Sequence, residues 1–138
     1  MDFAIEHNIP HGGWCPKGRR AEGGPIDPRY NLTETPSSNY VQRTEWNVRD
    51  SDATAIFTLS PELSGGSKKT AEFAKKHGKP CLHLRPQLEN PSWTFTQFLK
   101  SQNIQVLNVA GTRGSKEPEV GAFVKKVLEE AFFGKPMV

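Results

Sequence analysis

Apolar and polar residues follow two rhythms along this chain after Ser38, and neither rhythm before it. From Ile9 to Ser38 the sequence is rich in Gly, Pro and Asn with little apolar periodicity, and a loop that long inside a domain is usually functional. Beyond it, Tyr40, Val41, Thr44 and Val48 share one face at helical spacing. Ser37 or Ser38 can cap that helix, and it should stop at Asp50-Ser51-Asp52. Ala53 to Leu59 is a short apolar, β-branched run that predicts a buried strand. Ser64-Gly65-Gly66-Ser67 then leads into a helix from about Lys68 to His77, closed by Gly78. Cys81 to Leu84 predicts a second strand. Asn90-Pro91 has the form of an N-cap followed by Pro at the first helical position, opening a helix with Trp93, Phe95, Phe98 and Leu99. Ile104 to Val109 predicts a third strand, and Ser115 caps a last helix using Val120, Phe123, Val127, Leu128 and Ala131.

Helices and strands alternating with short connections predict an α/β protein: a Rossmann-like three-layer α/β/α domain with a parallel sheet, spanning residues 1–138 as one unit. A further extended segment is expected near Ile9 to Trp14. Phe3, Ala4 and Ile5 have the look of a helix's last turn, whereas a doubly wound domain ordinarily opens with a strand, a glycine turn and then a helix. The expectation is therefore an N-terminally incomplete domain whose absent strand would have lain mid-sheet. That leaves a gap, a partner strand from another subunit in a homo-oligomer, or low stability.

Composition narrows the picture. With 35% hydrophobic and 24% charged residues the chain is an ordinary globular protein. No run of about 18 apolar residues exists to cross a membrane, and no basic stretch followed by an apolar one marks a secretory leader. The 2 cysteines, Cys15 and Cys81, form no CxxC, which excludes a disulfide scaffold and a four-cysteine zinc site. Both should be reduced, in keeping with a cytoplasmic protein. The net charge of +3 is too small and too scattered to point to nucleic acid.

In a doubly wound sheet, ligands bind at the carboxyl ends of the strands. Two loops there carry suitable chemistry. Ser64, Gly65, Gly66 and Ser67 run from strand into helix, where glycine lets an anion approach free amides; the bland alternative is a tight turn. Thr70 and Glu72 follow on that helix, the carboxylate suited to ribose hydroxyls, to a base or to solvent. The second loop includes Gly111, Arg113 and Ser115, with Arg113 able to make a two-pronged contact with a phosphate or to lie exposed. Upstream, Gly12, Gly13, Lys17, Gly18, Arg19 and Arg20 surround Trp14 and Cys15; the cations could hold phosphates or form a solvated patch. His7, His11 and Cys15 are spaced by four, but Pro10 and Gly12-Gly13 forbid the helix a metal site would need. Within the helix from Tyr40, Glu45 and Arg49 are expected to form an i,i+4 ion pair, while Arg43 and Asn47 share a face that could meet the crevice. No Ser-His-Asp or Cys-His arrangement can be recovered, so no catalytic residue is assigned.

The strings IPHGGWCPKGRRAEGGPI, YNLTETPSSNYVQRTEWNVRDSDATAI, LSGGSKKTAEFAKKHGKPCLHL and VLNVAGTRGSK closely resemble the bacterial molybdenum carrier family, over nearly the whole chain from Asp2 to about Phe132. The resemblance implies a Rossmann-like superfamily that also holds lysine-decarboxylase-like phosphoribohydrolases. It implies a role in binding or carrying molybdenum cofactor, a phosphorylated pterin with a dithiolene-held metal. Gly65, Gly66 and Glu72 match the superfamily's phosphate and ribose motif, although Lys68-Lys69 stands where the phosphoribohydrolases have Gly-Thr. Gly12, Gly13, Lys17, Gly18, Arg19 and Arg20 match the loop after the family's second strand. Arg43, Glu45 and Asn47 match its helix motif, and Gly111, Arg113 and Ser115 its last loop. The family's opening strand and Gly-Gly-x-Thr-Gly-x-Asp loop have no counterpart here. A phosphorylated pterin or nucleotide-like ligand is the partner this implies; the alternatives are a phosphoribohydrolase-type enzyme and a structural module without a ligand.

Overall fold

Ala53–Phe57 is buried at every position, so the segment must be covered on both faces and paired on both edges. The computed structural model, which describes residues 2–21, 24–112 and 117–133, meets that demand. Its elements are α1 (Asp2–Glu6), β1 (Trp14–Cys15), β2 (Thr33–Glu34), α2 (Tyr40–Arg49), β3 (Ala53–Phe57), α3 (Gly65–Lys76), β4 (Cys81–Leu84), α4 (Pro91–Ser101), β5 (Leu107–Gly111) and α5 (Val120–Phe133). The three strands expected after Ser38 form one parallel sheet in the order β4-β3-β5. Thr54 faces Cys81 and Phe57 faces Leu84 on one side, while Ala53 faces Leu107 and Phe57 faces Gly111 on the other. Helix α3 covers one face with α2 beside it, and α4 and α5 cover the opposite face. This is the Rossmann-like α/β/α arrangement, with all its described strand pairs parallel.

The boundaries shift for local reasons. Strand β3 ends at Phe57, because the Thr58 hydroxyl turns back to the Ser60 carbonyl at 2.6 Å. Strand β5 starts at Leu107 and not Ile104, since the Asp52 carboxylate captures the amides of Gln105 and Val106 at 3.0 and 2.8 Å. The N-cap of α2 is Asn39, not Ser37 or Ser38; its side chain accepts from the Val41 amide at 2.9 Å. Helix α3 opens at Gly65, earlier than Lys68, with the amides of Ser67 and Lys68 both directed at the Ser64 carbonyl. Poor helix formers cost little in a first turn whose amides have no helical partner in any case. Asn90 and Pro91 open α4 as expected, the Asn90 side chain accepting from the Trp93 amide at 3.1 Å. Ser115 lies outside the described residues.

Of the extended segment expected near Ile9 to Trp14, only its end enters a strand, β1 (Trp14–Cys15), which pairs in parallel with β2, a strand that the Gly- and Pro-rich composition concealed. Among the described residues this pair shares no ladder with the three-stranded sheet. Both cysteines are free, Cys15 buried and Cys81 exposed.

The core lies between the sheet and the pair α4–α5, built from Ala55, Phe57, Leu84, Phe95, Val127 and Leu128. Phe57 meets Phe95 and Phe123 edge-on, at centroid distances of 5.9 Å in both cases. Phe95 is fully buried, so Phe95→Ala should destabilise the fold by about 3–5 kcal/mol. Equilibrium urea unfolding, with an unchanged m value, is the measurement that checks it.

Candidate functional site

The order β4-β3-β5 places the reversal of winding at β3: the chain crosses from β3 to β4 on one side and returns to β5 on the other. In open α/β sheets that switch point is where ligands bind, outside the carboxyl ends of the strands. The segment following β3 is held there by groups from three directions. The Thr58 hydroxyl donates to the Ser60 carbonyl at 2.6 Å and stands 2.6 Å from His83 Nε2 on β4. A hydroxyl has one proton, and the carbonyl can only accept, so Nε2 of His83 is the donor to Thr58. Burial, then the nearby Arg85 cation, pulls the His83 pKa below its ordinary value against the opposing Glu117 charge, so the ring is neutral at pH 7 with its proton on Nε2. Gln87 Nε2 donates to the Leu59 carbonyl at 2.9 Å. Finally the Glu117 carboxylate accepts from two consecutive amides, Leu59 through Oε1 and Ser60 through Oε2, each at 2.9 Å.

Helix α3 begins just beyond this clamped loop. Gly65 has φ +53°, a conformation that side-chain-bearing residues avoid, and a Cβ added at Gly65 or Gly66 would meet nothing within 4 Å. Their amides find no protein acceptor among the described residues, whereas the Ser67 amide donates to the Ser64 carbonyl at 3.1 Å. Thr70 is buried and bonds back to the Gly66 carbonyl at 2.9 Å, so its hydroxyl steadies the helix's first turn. Glu72 is exposed on α3. Gly111 ends β5, close enough to the Phe57 carbonyl that an added Cβ would stand 3.2 Å from it. Arg113 and Ser115 lie outside the described residues.

The early loop gathers the remaining candidates, and its first need is for donors to its own backbone. Arg19, at φ +54°, directs its guanidinium at four carbonyls: Nε at Ile26 (3.0 Å), Nη1 at Leu32 (3.4 Å), and Nη2 at Asp27 (3.0 Å) and Tyr30 (2.9 Å). The Gly18 amide donates to Glu34 Oε1 at 2.6 Å. Asn47 does not look to the crevice. Its side chain accepts from the Trp14 amide at 2.8 Å and donates to the Trp14 carbonyl at 3.1 Å, mimicking a strand neighbour for β1. Gly13 makes that approach feasible, since a Cβ there would stand 3.0 Å from Asn47 Oδ1. Gly12 lies next to it, exposed. Arg20 and Arg43 stack on the Tyr40 ring at 4.8 and 5.3 Å, leaving Lys17 exposed at the loop's surface.

The Glu45–Arg49 pair does not form. Glu45 instead takes Lys76 Nζ at the end of α3 and Nε2 of His77, the residue that caps it, both at 2.8 Å, while Arg49 pairs with Asp50 at 2.8 Å and stacks on Trp46. The tertiary partners from α3 displace the intrahelical one. Thr58, His83, Arg85, Gln87 and Glu117 were not singled out from sequence. The chemistry of each is ordinary, and only the fold brings them to one strand end.

The sequence pattern of the circularly permutated YpsA SLOG family matches residues 1–132. The chain belongs to that family. A solved structure named "Putative molybdenum carrier protein", from Syntrophus aciditrophicus SB, is 44% identical with a TM-score of 0.88, the match covering 96% of this chain and 85% of that one. No curated protein compared with the chain matches it. Membership of the SLOG family and this structural likeness bear out both the motif resemblance and the Rossmann-like fold. In this family member no helix among the described residues is long and apolar enough to cross a membrane.

Two outcomes follow from the loop geometry. Arg19→Lys should cost about 1–3 kcal/mol, because an ammonium cannot reach all four carbonyls; hydrogen exchange should quicken at residues 26–32 while β3 stays protected. Trp14 Nε1 donates to Asp50 at 2.8 Å, and Asp50 has its pKa pulled from the ordinary 3.8 to about 2, by the Arg49 bond first and the Trp14 bond after the opposing effect of burial. A carboxyl lowered on folding contributes stability above pH 3.8 that is lost as pH falls toward 2. Denaturant midpoints at pH 5 and pH 2.5 should therefore differ more in the native protein than in Asp50→Asn.

Proposed function

We propose that this protein holds a phosphorylated ligand of pterin or nucleotide type without transforming it. The observation that carries the reading is the start of α3. There Gly65 and Gly66 are exposed, and their amides have no protein acceptor among the described residues, past the carboxyl end of β3 where the winding of the sheet reverses. Amides without partners at the head of a 12-residue helix favour an anion through both hydrogen bonds and the helix dipole. The name of the 44%-identical relative supports molybdenum cofactor as the ligand. Its phosphate would rest on Gly65 and Gly66, with Ser64 and Ser67 flanking. Its metal is borne by the cofactor's own dithiolene sulfurs, so the chain has only to hold the organic part. Gly111, the last residue of β5, is proposed to join the site, together with Arg113 and Ser115 that follow it in sequence. Lys17 and Arg20 are proposed to add positive potential from the early loop, with Arg43 alongside. Gly12, Gly13, Gly18, Arg19 and Asn47 serve by shaping that loop, and Thr70 by holding α3. Glu72 is the residue proposed to meet ligand hydroxyls.

The test is a thermal-shift and calorimetry panel of nucleoside monophosphates and molybdenum cofactor. A true ligand at a hundred times its Kd stabilises the fold by about 2.7 kcal/mol. Gly66→Asp places a carboxylate in open space where a helix start tolerates it, so the fold should persist while binding falls at least tenfold. Turnover of a nucleoside monophosphate that Glu72→Gln abolishes would assign the chain to the enzymes instead. No shift with any phosphorylated compound would leave it a structural module.

A further inference from the structure

The loop between β3 and α3 already contains a bound anion, and that anion belongs to the protein. Leu59 and Ser60 present consecutive amides, and the Glu117 carboxylate fills them with one oxygen each, at 2.9 and 2.9 Å. A two-oxygen anion bridging two adjacent amides is the geometry in which such loops receive phosphate groups. Arg85 follows β4 directly, is half-buried, and finds no hydrogen-bond or ion-pair partner for its guanidinium among the described residues. Leu84 faces Phe57 across the ladder and accepts from the Thr58 amide at 3.0 Å, so Arg85 follows at the strand end where His83 meets Thr58 and Glu117 meets Leu59 and Ser60. None of these groups belongs to the open start of α3.

We propose that the Leu59 and Ser60 amides and the Arg85 guanidinium form a subsite for a ligand phosphate, and that the Glu117 carboxylate occupies it until the phosphate displaces it. The inference rests on the reading of the protein as a binder of phosphorylated ligands and adds how that site is controlled. Phosphate outcompetes a carboxylate here because it carries more charge and offers a third oxygen to an arginine fork. Neutral His83 donates its Nε2 proton to Thr58 and keeps that end of the loop in shape, whichever anion sits on the amides.

The experiment is a titration of the full-length ¹⁵N-labelled chain with inorganic phosphate, comparing the native protein with Glu117→Ala and Glu117→Gln. In Glu117→Ala the Leu59 and Ser60 amide resonances should move with phosphate, and binding should tighten at least tenfold over the native protein. Glu117→Gln keeps an acceptor without the charge and should fall between the two, which preserves the comparison if the alanine variant loses the loop's shape. Adding Arg85→Gln to either variant should return binding to the native level or below. If phosphate moves the Gly65 and Gly66 resonances but never those of Leu59 and Ser60, the subsite is wrong and the ligand-binding reading stands. If no resonance moves in any of the proteins, both fall together.

Discussion

Everything in this molecule is arranged around a strand with no free surface. Strand β3 is buried at all five positions, and its backbone is paired to β4 on one edge and β5 on the other. Alanine at Ala53 and Ala55 lets the flanking layers close in, while Ile56 and Phe57 fill the space on opposite faces. A strand so enclosed offers polar groups to the outside only where it ends. The first residues beyond Phe57 therefore carry the concentrated polar chemistry: Thr58 against His83, Leu59 and Ser60 against Glu117, and the Leu59 carbonyl against Gln87. The site follows from burial, because the chain must satisfy its own backbone at that point and draws donors and acceptors from each neighbouring strand end.

The early loop solves the same problem differently. Roughly thirty residues with little regular pairing leave many carbonyls to satisfy, and one guanidinium answers four of them. Asn47 does for β1 what an adjacent strand would do. Both residues were attractive as ligand contacts on chemistry alone. Arginine and asparagine are equally suited to bonding a peptide as to bonding a phosphate or a base, and a loop short of hydrogen bonds takes them first. The three cations of Lys17-Gly18-Arg19-Arg20 thus separate into one internal and two surface roles.

The legible part of the fold was the part governed by local rules. Short apolar runs located β3 and β4 and period-3.6 patterning located α2 and α4 within a residue or two, and Asn90-Pro91 announced α4 as a cap does, through a side chain reaching the third amide. The parallel order followed from alternation alone. Strand β2 was hidden because Thr33-Glu34 makes only a two-residue pairing inside a polar stretch. The Glu45 partners were hidden because α2 and α3 pack together, and nothing along the chain says that residues 45, 76 and 77 meet. Glu117 and Arg85 were invisible for the same reason: a lone glutamate and a lone arginine carry no motif, and their meaning lies in the strand ends beside them.

The contrast between two neighbouring pairs of amides explains why one needed the protein's own carboxylate and the other did not. Leu59 is half-buried, so leaving its amide without an acceptor would be costly, while Ser60 beside it is exposed. Gly65 and Gly66 are both exposed, and solvent can serve their amides at no penalty. The Leu59 amide therefore gains from an internal acceptor, whatever the protein binds. The second pair is free to stay open. A ligand reaching this strand end would gain contacts at α3 without displacing any protein group, but could engage Leu59 and Ser60 only by exchanging one anion for another. Under the proposed function, the open pair would govern whether an anion can dock, and the filled pair which anion is strong enough to stay.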